Sequence, residues 1–442
     1  MLIEFTVGNF RSFQEPVTLS MEAASIISED KTVDANNLIP INKHLSLLTS
    51  AAVYGANASG KSNLIIALAF MRKLVINSAR ESQAEEPIKV EPYRLNSSSE
   101  NKPAYFEMIF LIENQKYRYG FEVSKERIER EWLYYTPTIR EAELFTRQGA
   151  EIKSNPRTFR EGHGLEARTR PNALFLSVAA QFNGPVAQKV LKWFRRIGLV
   201  SGLNDTGYRS FTLQSFLDDS HLRDEILKLV RSLDVGVEDI SVKKNDEVSV
   251  SFPPDMPDKM KDSLLKSSGL LFSTQMAHTK YDNDGQPIGQ ENFDLEGNES
   301  EGTQKLFFLS GPILNTLMEG EILVVDEMEA RMHPLITYAL IQLFNSLETN
   351  PRRAQLIFTT HDTNLLNRSL FRRDQIWFVE KDSFGASHLY SLVEFKPRTR
   401  NDESFERNYL RGKYGAIPYL RGFYGILDEG LKIPVEESGD GA

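Results

Sequence analysis

Apolar and polar residues alternate along Leu2-Ile3-Glu4-Phe5-Thr6-Val7, the two-residue period of a strand with one buried face. The same period recurs over residues 105–112 and 117–123, and the four residues between them predict a β-hairpin. Residues 51–54, 322–325 and 355–360 are instead short, almost unbroken apolar runs. Runs of that kind are strands buried on both faces, as in a parallel sheet. Apolar residues at helical spacing mark residues 63–75, 186–197 and 222–233, and a further apolar segment covers 306–317. The mixture predicts an α/β protein whose first half, with short strands around one clear helix, supplies an antiparallel β subdomain.

The texture changes near residue 145. From there to about 265 the chain predicts a mostly helical insertion, with turns at Asn204-Asp205-Thr206-Gly207 and Pro253-Pro254-Asp255-Met256-Pro257 and one small β element over 240–252. No stretch sustains the heptads of a long coiled coil, so the insertion is expected to be a compact lid or arm. The expected division is 1–144, the insertion 145–265, a second half 266–395, and a tail 396–442 whose last residues, from 434, are disordered.

Chemistry sits where these strands end. The run 51–54 leads into Gly55-Ala56-Asn57-Ala58-Ser59-Gly60-Lys61-Ser62, a complete G-x-x-x-x-G-K-S phosphate loop, and then into the helix beginning near Asn63. The glycines allow a tight turn with inward N–H groups, and the helix dipole faces the phosphates. Lys61 supplies a cation for the β- and γ-phosphates, and the Ser62 hydroxyl is a hard ligand for Mg²⁺. The nucleotide-binding set is therefore Gly55, Asn57, Ala58, Ser59, Gly60, Lys61, Ser62 and Asn63, with ATP and Mg²⁺ as the cofactors. The second run ends in Asp326-Glu327: Asp326 to hold Mg²⁺, Glu327 to act as general base on the attacking water. The third ends in His361-Asp362, where His361 is placed to hydrogen-bond the γ-phosphate.

Composition narrows the setting. The 442 residues carry a net charge of −9 and no cysteine, which excludes disulfides and cysteine-ligated zinc. No apolar run is long enough to cross a membrane and the first residues do not read as a signal peptide, so the expected location is the cytoplasm. Arg168, Arg170, Lys189, Lys192, Arg195 and Arg196 surround Trp193 and Phe194. They are a candidate nucleic-acid surface, though a solvated helix face accounts for them better. Residues 281–301 hold seven acidic residues and no basic one, which reads as a solvated loop. Lys396, Arg398, Arg400, Arg407, Arg411, Lys413 and Arg421 make the tail basic.

The order of phosphate loop, long insertion, apolar-Asp-Glu and strand-Thr-Thr-His-Asp resembles the ABC-type ATPase heads of the SMC and RecF proteins. Gly8-Asn9-Phe10-Arg11-Ser12-Phe13 resembles the N-F-R-S-F element that lies beside the nucleotide in those heads, which implies nucleotide contacts for Asn9 and Arg11. Residues 326–334 resemble the D-E-P-E-x-x-L-H-P segment of OLD-like and abortive-infection ATPases. Ser300-Glu301-Gly302-Thr303-Gln304-Lys305, together with residues 409–418, is similar to the RloA-like group that includes the ATPase of PARIS phage-defence systems. The implied fold is an ABC-type P-loop NTPase head with an antiparallel β subdomain and a mostly helical insertion.

In such heads a signature helix of one protomer closes the nucleotide pocket of the other. Ser300 and Gly302 are the candidates here, although the usual Leu-Ser-Gly-Gly is absent. The implied partners are a second copy of the chain, in a head-to-head dimer or higher oligomer, and a separately encoded toxin or nuclease. No Asp-x-Asp follows His361, so the Toprim nuclease of OLD proteins is not expected in the tail. The leading reading is an ATP-hydrolysing switch of antiviral defence. A RecF-like DNA-repair clamp and a non-hydrolysing ATP scaffold are the alternatives.

Overall fold

Two sheets of different character follow from the two hydrophobic periods. The computed structural model describes residues 1–80, 83, 85–233, 236–245, 256, 271–395 and 404–418. Its alternating segments form a seven-stranded antiparallel sheet: β1 (Leu2–Gly8), β2 (Val17–Ser20), and β6 to β10 (Ala104–Ile112, Gln115–Val123, Ile128–Thr136, Ala142–Gln148, Glu151–Ser154). The order is β10-β9-β8-β7-β6-β1-β2. A small pair, β3 (Leu38–Pro40) and β4 (Ser46–Leu48), lies apart from it.

The unbroken runs form a second sheet from β5 (Ser50–Tyr54), β11 (Ile197–Ser201), β15 (Ile322–Asp326), β16 (Gln355–Thr359), β17 (Ile376–Lys381) and β18 (Ser387–Ser391). In the order β11-β15-β16-β5-β17-β18, the first five strands are parallel and β18 is an antiparallel edge. Both faces of this sheet are covered, which explains the lack of polar alternation. Along β5, Ala51 and Val53 join one apolar core while Ala52 and Tyr54 join the other. The first core lies between the two sheets and includes α2 (Lys61–Asn77), α3 (Phe175–Gln181) and α4 (Pro185–Arg195). The second holds α5 (Thr206–Asp218), α6 (Ser220–Ser232), α7 (Glu301–Glu319) and α8 (Pro334–Phe344). Short α1 (Lys31–Asn37) and α9 (Phe405–Leu410) complete the helices among the described residues, none of which is long and apolar enough to cross a membrane.

One buried amide joins the sheets. Gln355, at the start of β16, accepts the Leu2 N–H at 2.6 Å and donates to the carbonyls of Leu2 and Leu48 at 3.0 and 3.2 Å. Leaving such groups unpaired would cost about 1–3 kcal/mol each.

Several expectations change on folding. The first hairpin turns in two residues, Glu113 and Asn114, both at positive φ, rather than four, so β7 starts at Gln115. Within the stretch expected to be mostly helical, β9 and β10 extend the antiparallel sheet and β11 enters the parallel one. The acidic segment is not a loop. Its centre is β14 (Pro287–Asp294), which pairs with β13 (Phe272–Tyr281), itself paired with β12 (Asp239–Lys244). Its acids are met by bases from elsewhere: Glu291 by Lys280, Glu296 by Arg209, Glu299 by His278 and Glu301 by Arg331. Trp193 and Phe194 face the core, with Trp193 stacked on Phe110 at 3.9 Å, so no aromatic surface lies among the basic residues of α4. Lys189 pairs with Glu113 and Arg196 with Glu321. The tail bases Lys396, Arg398, Arg400 and Arg421, most of the 253–257 turn, and residues 434–442 lie outside the described residues.

Candidate functional site

Five parallel strands deliver their C-terminal ends to one edge of the sheet, the edge where open α/β folds bind ligands. Residues 55–60 leave β5 as a turn and enter α2 directly. Ala58 and Gly60 take positive φ (61° and 118°). Gly60 is confined twice over, because a Cβ there would also lie 2.3 Å from Ser387 Oγ and 2.8 Å from Ser12 Oγ. No side chain caps α2, so the N–H groups of its first turn are left for an anion.

Asn57, Ala58, Ser59, Gly60, Lys61, Ser62 and Asn63 line a cleft of about 570 Å³ together with Glu327, His361 and Lys381. That volume suits a nucleotide-sized ligand. The Lys61 ammonium donates to the Gly55 and Ala56 carbonyls at 2.9 and 3.1 Å. Burial holds its pKa down to about 8, against the opposing pull of Glu327, Asp326 and Glu329. A phosphate replacing the carbonyls would meet a cation with little water to lose.

Asp326 and Glu327 end β15 as expected, and Thr359 on the neighbouring strand fixes both. Its hydroxyl donates to Asp326 Oδ1 at 2.6 Å and accepts the Glu327 N–H at 2.8 Å. Glu327 sits at φ 53°. This kink departs from strand geometry and brings the residue to the cleft wall. Burial, then Asp326 and Glu329, raise the Glu327 pKa, while Lys61 and Lys305 oppose the rise. A carboxylate so perturbed is suited to accept a proton. His361 lines the same cleft, its backbone N–H held by Glu329 Oε1 at 2.6 Å. Burial and then Lys61 lower its pKa, which favours the neutral ring.

The oxygen donors fit magnesium. Ser62 Oγ and the Asp326 carboxylate are hard ligands, and Mg²⁺ is commonly held by one or two such groups plus substrate phosphates. When bound, the ion would neutralise phosphate charge.

Not every expected residue lines this cleft: Gly55 and Asp326 stand behind the lining, Gly55 joined to it through Lys61 and Asp326 through the Thr359 hydroxyl it shares with Glu327. Asn9 is buried with its amide committed elsewhere: it donates to the carbonyls of Ser99, Lys102 and Pro103 and accepts from Tyr93 N–H. Arg11 pairs with Glu91 at 3.0 Å. Both residues adopt positive φ, Asn9 just before and Arg11 within the tight turn closed by Phe10 and Phe13, which directs their side chains to the 91–103 segment. The residue of this turn that touches the phosphate loop is Ser12, whose hydroxyl accepts from Asn63 Nδ2 at 2.7 Å.

Ser300 caps α7, accepting the Thr303 N–H at 3.1 Å. Neither it nor Gly302 lines its own chain's cleft. The first turns of α7 lean on the segment after Glu327: buried Lys305 donates to the carbonyls of Met328 and Ala330, and Glu301 pairs with Arg331. Burial brings the Lys305 pKa down to about 8.

The sequence reading does not place Thr359, Ser12, Glu329, Lys305 or Lys381 at the site. Thr359 had a signal, a hydroxyl closing an apolar strand opposite Asp326. A lysine beside the apolar run from Leu306 was another. Lys381 had none.

A family model described as "AAA domain, putative AbiEii toxin, Type IV TA system" matches residues 50–367. No curated protein matches the chain. Among solved structures the chain is similar to the SMC head domain from Thermotoga maritima, at 12% identity over 88% of this chain and 98% of that one, with a TM-score of 0.39. It is also similar to the Smc head domain with a coiled coil and joint derived from Pyrococcus yayanosii (11% identity, 93% and 99% covered, TM-score 0.41). A third is the recombination mediator protein RecF-ATP (14% identity, 88% and 97% covered, TM-score 0.34).

Proposed function

The chain belongs to this AAA-domain family, and from that premise we propose that it is an ATP-hydrolysing switch that controls a separately encoded toxin or nuclease in antiviral defence. One observation carries the reading: the phosphate loop, Glu327 and His361, far apart in sequence, line one cleft. Lys61 and the first turn of α2 bind the phosphates, Ser62 and Asp326 hold Mg²⁺, Glu327 takes the proton of the attacking water, and His361 senses the γ-phosphate. The hydrolytic step is then electrostatic positioning plus one proton transfer.

The second part of the proposal is that two heads close on each other, with Ser300 and Gly302 of each capping the other's nucleotide. Their position outside their own cleft supports it, as does an α7 start whose anchorage to residues 328–331 would carry nucleotide-driven movement to the cap. The resemblance of residues 300–305 and 409–418 to RloA-like ATPases supports the defence setting.

The test is ATP turnover by the purified chain, with and without duplex DNA, using Lys61→Ala as control. Turnover that needs Lys61 and ignores DNA is expected. ATP binding without turnover would make the protein a scaffold, and strong stimulation by duplex DNA would favour a repair clamp. Expression with and without the neighbouring open reading frame, followed by phage challenge, tests the defence role.

A further inference from the structure

The parallel register pairs Ile376, Trp377 and Phe378 of β17 with Ala52, Val53 and Tyr54 of β5. Past Phe378 the chain therefore runs beside the phosphate loop that begins at Gly55. The contact is at backbone distance. A Cβ on Gly55 would lie 2.4 Å from the Val379 carbonyl oxygen. On the returning strand, Ser387 donates its hydroxyl to the Ser59 carbonyl at 2.6 Å and its N–H to the Ser12 carbonyl at 2.7 Å. The β17–β18 hairpin is thus one wall of the loop, and its last outgoing residue, Lys381, lines the cleft.

Lys381 differs from Lys61 in a telling way. Lys61 is buried and bonded to two carbonyls, whereas Lys381 is exposed and its ammonium makes no hydrogen bond or ion pair among the described residues. Neither flanking carboxylate pairs with it: Glu380 accepts the Tyr390 hydroxyl at 3.2 Å. Asp382 accepts the N–H groups of Phe384 and Ala386 and pairs with His388 at 3.0 Å. A free cation at the rim of an anion site is available to the anion.

Strand order indicates which part of the ligand it meets. β15 and β16, which carry Glu327 and His361, lie on one side of β5, and β17 lies on the other. The carboxylate and the histidine mark the side where the terminal phosphate is attacked. Lys381 stands across the loop from them.

We propose that Lys381 is a second phosphate-binding cation of this cleft, acting on the phosphates nearer the nucleoside and so on ATP and ADP alike. The inference rests on the nucleotide-binding reading of the phosphate loop and extends it to the hairpin. One exposed charge a few ångströms from a polyanion is worth about tenfold in affinity at low salt and less at high salt.

The experiment titrates ATP and ADP, at low and high salt, into the full-length wild-type chain and into Lys381→Ala, Lys381→Glu, Lys381→Arg and Lys61→Ala. Expected results are an equal weakening of both nucleotides by about tenfold for Lys381→Ala, a larger one for Lys381→Glu, and retention by Lys381→Arg. The weakening should shrink as salt rises, and in turnover it should show in KM rather than kcat. Wild-type affinity in Lys381→Ala, with binding lost in Lys61→Ala, would make Lys381 a solvated surface lysine and overturn the proposal. A loss confined to ATP, or falling on kcat, would put Lys381 at the γ-phosphate and overturn it too. If Lys61→Ala itself binds like wild type, the phosphate-loop reading fails before the question of Lys381 arises.

Discussion

Replacing Glu327 by Gln separates the chemistry from everything else the residue does. The Glu327 backbone N–H, which carries the bond to Thr359, is untouched, and among the described residues the carboxylate makes no hydrogen bond that the amide would lose. Stability should therefore stay within about 0.5 kcal/mol, as for a substitution outside any buried network. The charge change should help nucleotide binding, since Asp326, Glu327 and Glu329 all act on Lys61 and would all repel phosphates. Relief of one such repulsion at a partly exposed site is worth about 1 kcal/mol or less, so the Kd for ATP should fall up to about fivefold. Turnover should move the other way. An amide cannot accept the proton of the attacking water, and loss of a general base lowers the rate by about 10²–10⁴, which is about 3–5 kcal/mol of barrier. Single-turnover phosphate release under saturating ATP measures the step, with calorimetry for binding. A second signature is pH: because the Glu327 pKa is raised, kcat should decline as pH falls through that raised value, and the decline should vanish in the variant. Wild-type turnover by Glu327→Gln would refute its role as the base. Loss of ATP binding would refute the electrostatic account of the cleft.

Thr359→Val keeps the shape of a fully buried side chain but strips Asp326 and Glu327 of their shared partner, so it should cost about 1–3 kcal/mol in thermal unfolding and about tenfold or more in kcat; an unchanged melting temperature and rate would show that the hydroxyl does not hold the pair. Ser300→Arg and Lys61→Ala should each be nearly inactive yet regain activity when mixed, because a twofold pair then contains one site with neither defect; no recovery despite proven mixed dimers and single-site competence would remove Ser300 from the partner's pocket. Lys61 is held down to about 8, and phosphate would restore its charge, so ATP binding should take up about half a proton at pH 8 and weaken as pH rises further; calorimetry in buffers of different ionisation heat that finds no uptake at pH 8.5 would contradict this. The same lowered lysine costs folding stability fully below about 8, and the cost fades as pH rises toward the ordinary 10.5.

The phosphate loop, the Asp326-Glu327 pair and His361 are legible in the sequence because each is a local pattern, an apolar strand followed at once by reactive groups. Local patterns survive translation into structure. The first hairpin and α2 were legible for the same reason, and their ends moved by only a few residues. What failed was contextual. Residues 287–294 look like a solvated acidic loop because they are polar with no clear apolar alternation, yet the preceding strand β13 gives them a ladder and bases from β13, α5 and the turn before α8 meet several of the acids around them. Asn9 and Arg11 carry a motif, but a tight turn aims them at residues 91–103 instead of the cleft.

The sequence alone determined that this chain carries a phosphate loop and two strands tipped with acid–base groups, since strand period and the loop's glycines are set by neighbouring residues. Only the tertiary structure decided that these groups, about 300 residues apart at the extremes, share one cleft, and that Thr359, Ser12 and Lys381 belong with them. The reason is the parallel sheet. Strands that are neighbours in space are joined by long crossovers, so the pairing that sets β15, β16, β5 and β17 side by side leaves no trace in any short window of the chain.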